Sequence, residues 1–139
     1  RGASAPLRVP PDAWGRPWLF TLGPAGGASP GGAKVAEVGP VPRPKASKYL
    51  LRINRAGGPP GVSTPIHTHP GSEAFYVVKG QLTQRSGHGK ATLDAGGSMN
   101  GHDPGMVMQL TSTGATDLEQ LVMFVVDAEK PFSTPASFD

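Results

Sequence analysis

Between positions 119 and 127 the chain carries an almost unbroken apolar run, in which Leu121, Met123 and Val125 alternate with Val122, Phe124 and Val126. A run of strand length in which both parities are apolar predicts a β-strand buried on both faces. Shorter stretches at 49–54, 66–69, 73–79, 81–85, 91–93 and 106–111 are bounded by Gly, Pro, Asp or Ser and predict six more strands. No helical pattern lies between them. Short strands at this spacing predict an all-β chain folded as an antiparallel sandwich or barrel.

Composition sharpens this picture at the N-terminus. Gly and Pro together supply 36 of 139 residues, and nine Pro and eight Gly fall within 1–47. Both residue types interrupt helices, so a helical bundle is excluded. The first 47 residues leave room only for short apolar stretches at 18–22 and 34–38. They are predicted to form an arm whose Trp14, Trp18, Leu19 and Phe20 bury on the barrel or on a neighbouring subunit. The expected organisation is an arm at 1–47, a barrel at 48–127 and a C-terminal tail at 128–139. On edge coverage, such an arm and barrel are expected to form a homodimer.

Charge and the missing cysteine narrow the chemistry. The net charge of +3 is the sum of +9 over residues 1–90 and −6 over 91–139. The basic residues are scattered among Pro and Gly without interleaved aromatics, which argues for a solvated face and against nucleic acid as a partner. The longest apolar run, Leu121 to Val126, is far short of the roughly 20 residues that span a bilayer as a helix, so no membrane association is expected. With no Cys in the chain, a metal must be held by His, Asp, Glu or Met. The chain begins at Arg1, which leaves the compartment open: cytoplasmic, or exported if Arg1 follows a removed leader.

The chemistry concentrates in Gly61-Val-Ser-Thr-Pro-Ile-His67-Thr-His69-Pro-Gly-Ser-Glu73-Ala-Phe-Tyr-Val-Val-Lys-Gly80. On a strand, residues two apart point to one face, so His67 and His69 project together. A turn at Pro70-Gly71-Ser72 can return Glu73 to the same interior. Two imidazoles and one carboxylate converging there make a facial site for a divalent ion with positions left open. These residues resemble the cupin family, whose first motif is Gly, five residues, His-x-His, three or four residues, Glu, six residues, Gly. Gly61, His67, His69, Glu73 and Gly80 match every position. Gly97 opens a second, degenerate motif, Gly97-Ser-Met-Asn-Gly-His102-Asp-Pro104-Gly105-Met-Val-Met108, in which Met108 stands where the family has a fourth ligand, a His. The resemblance spans residues 48–127 and implies a cupin-type antiparallel β-barrel (a double-stranded β-helix or jelly roll), commonly dimeric.

Three assignments are open for the fourth position. Met108 can serve as apolar wall beside a three-ligand ion, can ligate through its thioether, which favours copper, or can yield the position to His102 from the preceding loop. The expected cofactor is one divalent or transition metal ion, among Fe, Mn, Zn, Ni and Cu, on His67, His69 and Glu73. His88, between two glycines, reads as an exposed turn residue. Arg52 reads as solvent-facing or paired with an acid, and Tyr49, Phe75, Tyr76, Gln84 and Gln109 read as core or surface. The leading functional expectation is a metal-dependent dioxygenase or related enzyme acting on a small organic molecule. The alternative is a non-enzymatic sensor or storage cupin that holds a metal, copper included, or a small ligand. Met99, Met106, Met108 and Met123, and the absence of a second acid or base, favour that alternative.

Overall fold

The computed structural model describes residues 6–8, 13–100 and 102–139, with the backbone alone at 6–8. Arg1 and Gly101 of the second motif lie outside the described residues. The strands are β1 (Pro6–Arg8), β2 (Leu19–Thr21), β3 (Tyr49–Gly58), β4 (His67–Thr68), β5 (Gly71–Lys79) and β6 (Gln81–Ser86). They continue with β7 (Gly89–Asp94), β8 (Ser98–Met99), β9 (Met108–Ser112), β10 (Leu118–Asp127) and β11 (Thr134–Pro135). No helix occurs among the described residues. No helix is therefore long and apolar enough to cross a membrane.

The chain divides into two compact units, Arg1–Glu37 and Val38–Asp139. In the first, β1 and β2 pair antiparallel with Leu7 opposite Phe20. The aromatics of this unit pack on one another. Trp18 meets Trp14 edge-on at 6.0 Å and stacks near Phe20 at 6.5 Å, while its indole N–H donates to the Ala13 carbonyl at 3.0 Å. The apolar stretch at 34–38 forms no strand. There Lys34 pairs with Glu37, and the Gly26 N–H donates to the same carboxylate at 3.0 Å, so a polar side chain organises the turn instead.

The second unit contains two antiparallel sheets, ordered β3-β10-β5-β8 and β11-β4-β9-β6-β7. Their inner faces share one core of Phe75, Val77, Leu118, Val122, Phe124 and Val126 from the first sheet with Leu82 and Leu110 from the second. As the alternation predicts, β10 is the central strand, flanked along its length by β3 and β5. Its two faces are buried unequally: Leu118, Val122, Phe124 and Val126 are buried inward, whereas on the outer face Leu121 is buried and Met123 and Val125 are half-covered. Over the outer face, residues 38–47 are tied down by the Ser72 hydroxyl, which donates to the Pro42 carbonyl, and by the Tyr49 hydroxyl, which donates to the Pro44 carbonyl at 2.8 Å. The outer face of the second sheet is polar, with Thr83 bridging Thr92 at 3.0 Å and Thr113 at 2.8 Å.

Two glycines set the geometry that leads into the site. At Gly80 the chain leaves the first sheet and enters the second; its φ is +80°, and a Cβ there would lie 2.6 Å from the Asp117 carbonyl oxygen. At Gly71 a Cβ would lie 2.1 Å from the Val125 oxygen, so only glycine lets β5 run this close to β10. The C-terminal residues extend the domain: β11 pairs with β4 at the edge of the second sheet, and Phe132 packs against the core.

Phe75 is fully buried at the centre of this core, whereas Thr92 is exposed on the outer face. Phe75→Ala is expected to cost roughly 3–5 kcal/mol and Thr92→Ala less than about 1 kcal/mol. Urea unfolding midpoints of the two variants against the parent chain measure the difference.

Candidate metal centre

β4 is too short to carry both histidines, yet it aims them together. His67 lies within it, opposite Met108 of β9, and His69 follows one residue past its end. The two rings meet edge-to-face with centroids 4.8 Å apart. Pro70 then turns the chain, and β5 returns Glu73 to a position opposite Phe124 of β10. One nitrogen each from His67 and His69 and one Glu73 oxygen all lie within 4.8 Å of one another, inside the compass of a single ion.

Backbone carbonyls orient both rings. His67 Nδ1–H donates to the Pro65 carbonyl at 2.7 Å, and His69 Nδ1–H donates to the Phe132 carbonyl. With the proton held on Nδ1, each Nε2 keeps its lone pair free, the arrangement by which outer hydrogen bonds fix metal-ligating imidazoles. Glu73 completes the set differently. Its side chain is buried, only 2 % exposed, and its Oε2 has no hydrogen-bond partner.

Burial governs the protonation of the cluster. It pushes the Glu73 carboxyl up to about 8 and the His69 imidazole down to about 4, the latter against the opposing pull of the Phe132 carbonyl. The 3.4 Å approach of His69 Nε2 to Glu73 Oε2 therefore joins a neutral ring to a carboxylic acid at neutral pH and is not an ion pair. A divalent cation among the three atoms would satisfy Oε2 and favour the ionised carboxylate, so the donor set fits a metal.

The cluster sits at one end of a cavity of about 370 Å³ between the sheets. Phe124, Phe132, Leu110 and Val122 supply much of its wall, and among the described residues the only titratable side chains on it are His67, His69 and Glu73. Met108 does not line this cavity. It is fully buried beside His67, and its Sδ accepts the Gln84 amide at 3.9 Å. His102 stands outside the three-residue cluster, between β8 and β9, with its Nε2 buried and without a hydrogen-bond partner. Burial lowers its pKa, and His67 lies near enough to add to that lowering.

The remaining candidates lie outside the three-residue cluster, with Arg52 near enough to add to the lowering of the His69 pKa. His88 is exposed at the β6–β7 turn, where its N–H donates to the Ser86 hydroxyl at 3.2 Å. Arg52 stacks its guanidinium 4.2 Å over the Phe132 ring and donates to Asn54 at 2.9 Å. Phe75 is in the core, while Tyr49 is exposed. Sequence reasoning missed Phe132, which both lines the cavity and anchors His69 through its carbonyl. A backbone acceptor carries no side-chain signal, and this one is 63 residues away from its partner.

Glu73 and His69, with His102 acting in the same direction as His69, give the metal-free protein a distinct pH profile. An acid whose folded pKa is raised binds more protons folded than unfolded between about 4.5 and 8, so Glu73 makes stability fall as pH rises through that window. A histidine whose folded pKa is lowered binds fewer, so His69 makes stability rise with pH from about 4 to 6.5. The two slopes oppose one another up to about pH 6.5. Between pH 6.5 and 8 the Glu73 slope stands alone, and stability is expected to fall by roughly 1 kcal/mol per pH unit. Chemical denaturation of chelator-treated protein at pH 6.5 and 8 tests this, with Glu73→Gln expected to flatten the profile.

Comparison with known proteins agrees with this architecture. Residues 57–124 match the family model of the cupin domain. No curated protein sequence matches the chain. Among solved structures, the chain is similar to DMSP lyase DddQ from Ruegeria pomeroyi, with a TM-score of 0.53 and 23% identity over 61% of this chain and 42% of that one. The structures of the DMSP lyases RdDddP and RnDddQII give a TM-score of 0.53 and 19% identity over 63% and 44%. A Klebsiella pneumoniae protein with a double-stranded β-helix domain gives 0.52 and 20% over 74% and 91%. The chain thus spans less than half the length of the lyase chains it resembles. With the first His-x-His…Glu motif complete and the two antiparallel sheets in place, the chain carries a cupin domain.

Proposed function

We propose that this barrel is a metal-dependent enzyme of the dioxygenase type, in which His67, His69 and Glu73 hold one divalent ion at the end of the cavity and a small organic molecule occupies the rest. The observation that carries this reading is the convergence of two tautomer-locked imidazoles and one unpartnered buried carboxylate on a mainly apolar cavity. Held by two nitrogens and one oxygen, a divalent ion would supply coordination positions for substrate and oxygen. The chain's own residues do the rest. Pro65 and Phe132 carbonyls hold the rings in place, and Phe124 and Phe132 keep water from the donor atoms. No further acid or base among the described residues lines the cavity, which suits a reaction that needs no protein proton donor beyond the cluster itself.

The same absence supports the second reading, a non-enzymatic cupin that binds a metal or small ligand without turnover. For the fourth ligand position, His102 is the better supported candidate, since its buried Nε2 is unpartnered while the Met108 sulfur already receives an amide. The domain is proposed to work as the 48–127 barrel with its arm and tail, as a homodimer.

Elemental analysis of protein purified without a metal-affinity tag, followed by oxygen uptake with thiols, diketones and phenols, separates the readings. Oxygen consumption with any of them supports the enzyme, and tight binding of a metal with no turnover supports the sensor or store. His67→Ala and Glu73→Ala are expected to lower metal affinity by more than the roughly 10–100-fold that loss of an outer hydrogen-bond partner costs, while His88→Ala leaves it unchanged. Met108→Leu is expected to preserve the affinity and identity of the metal, read by competition with chelators for Zn and Cu(I), at a stability cost below about 1.5 kcal/mol.

A further inference from the structure

At the end of the cavity away from the histidines, two side chains have polar atoms that nothing satisfies. Gln120 on β10 and Ser112 on β9 both line the cavity, each is only 3 % exposed, and neither Gln120 Oε1 nor Ser112 Oγ has a hydrogen-bond partner. They come from facing sheets. Each lies four residues along its strand from the site: Gln120 from Phe124, which is opposite Glu73, and Ser112 from Met108, which is opposite His67. At about 3.3 Å per residue the polar pair stands roughly 13 Å along the strands from the cluster.

Other hydroxyls on the same wall are already engaged. Ser63 bonds to Thr111 at 2.7 Å, and Thr64 Oγ1 accepts the Leu110 N–H at 3.0 Å. Between the two ends the lining is apolar, with Val122, Leu110 and Leu118. A buried acceptor and a buried hydroxyl left unpaired cost stability, and a molecule in the cavity that reached both would recover it. No charged side chain faces this end, so a charged group there would lack a counter-ion.

We propose that Gln120 and Ser112 form a second recognition point, which selects small molecules bearing a neutral group that both donates and accepts a hydrogen bond, a hydroxyl or a primary amide, at the far end of an apolar chain. The group donates to Gln120 Oε1 and accepts from Ser112 Oγ–H. This rests on the reading of His67, His69 and Glu73 as the metal-holding end, where the head of the same molecule binds. It makes Gln120 and Ser112 specificity-determining residues with no part in holding the metal.

The test uses the zinc-loaded chain and two probes, a six-carbon linear hydroxamic acid ending in a hydroxyl and its methyl-ended counterpart, titrated calorimetrically. The parent chain is expected to bind the hydroxyl-ended probe about tenfold more tightly, and this preference is expected to vanish in Ser112→Ala and in Gln120→Leu. Equal binding of the two probes, or a preference that survives the double substitution, overturns the proposal. So does zinc binding without binding of either probe. If zinc itself fails to bind, the metal reading falls, and the thermal midpoints of the metal-free variants decide the polar end. A midpoint held or raised in both variants supports the proposal, since an unsatisfied group has been replaced by an apolar one. A fall of several degrees in both shows structural partners and overturns it.

Discussion

Glu73 places a carboxyl group where water cannot reach it and where no protein donor meets its outer oxygen. Such a group is tolerated only if it is neutral or compensated by a cation. Much of the local architecture bears on that condition. Gly71 brings β5 against β10 so that Glu73 points inward opposite Phe124, and the Pro70 turn sets it against two imidazoles whose rings are oriented by carbonyl acceptors, with His69 kept neutral by burial. A charged histidine beside the carboxyl would have made an ion pair; burial of His69 prevents it at neutral pH.

The sheets divide the work. The first supplies most of the apolar core and the carboxylate, the second supplies His67, Leu82 and Leu110, and His69 lies in the passage between them. Because both sheets contribute, the donor atoms converge only when the two inner faces are packed. The core is thus a condition of the site, not merely its support. Packing also leaves a cavity whose ends differ in character, ionisable at one and neutral-polar at the other, with hydrocarbon between. Affinity in such a cavity comes chiefly from the apolar middle, while orientation comes from the polar ends.

Strand type and order of elements were readable from local pattern, because a strand with alternate faces leaves its period in the sequence. Seven strands were predicted at 49–54, 66–69, 73–79, 81–85, 91–93, 106–111 and 119–127, and strands occur at all seven, several with shifted ends; β8 and β11, two residues each, are too short to leave a period. The stretch at 34–38 misled because its apolar residues resembled a strand that the Glu37 contacts replace. The spacing His67-x-His69-x-x-x-Glu73 likewise announced its convergence, since it depends on strand parity and one turn, both local. What required the tertiary structure was everything carried by chain segments distant in sequence. The Phe132 carbonyl on His69, the occupation of the Met108 sulfur by Gln84, the unpartnered Nε2 of His102 and the unpartnered Gln120 Oε1 and Ser112 Oγ on one cavity all depend on which backbone and side-chain groups meet after folding. Residue type alone determined which chemistry the chain could offer; packing decided which of those atoms were left without partners, because hydrogen-bond satisfaction is a property of neighbours in space.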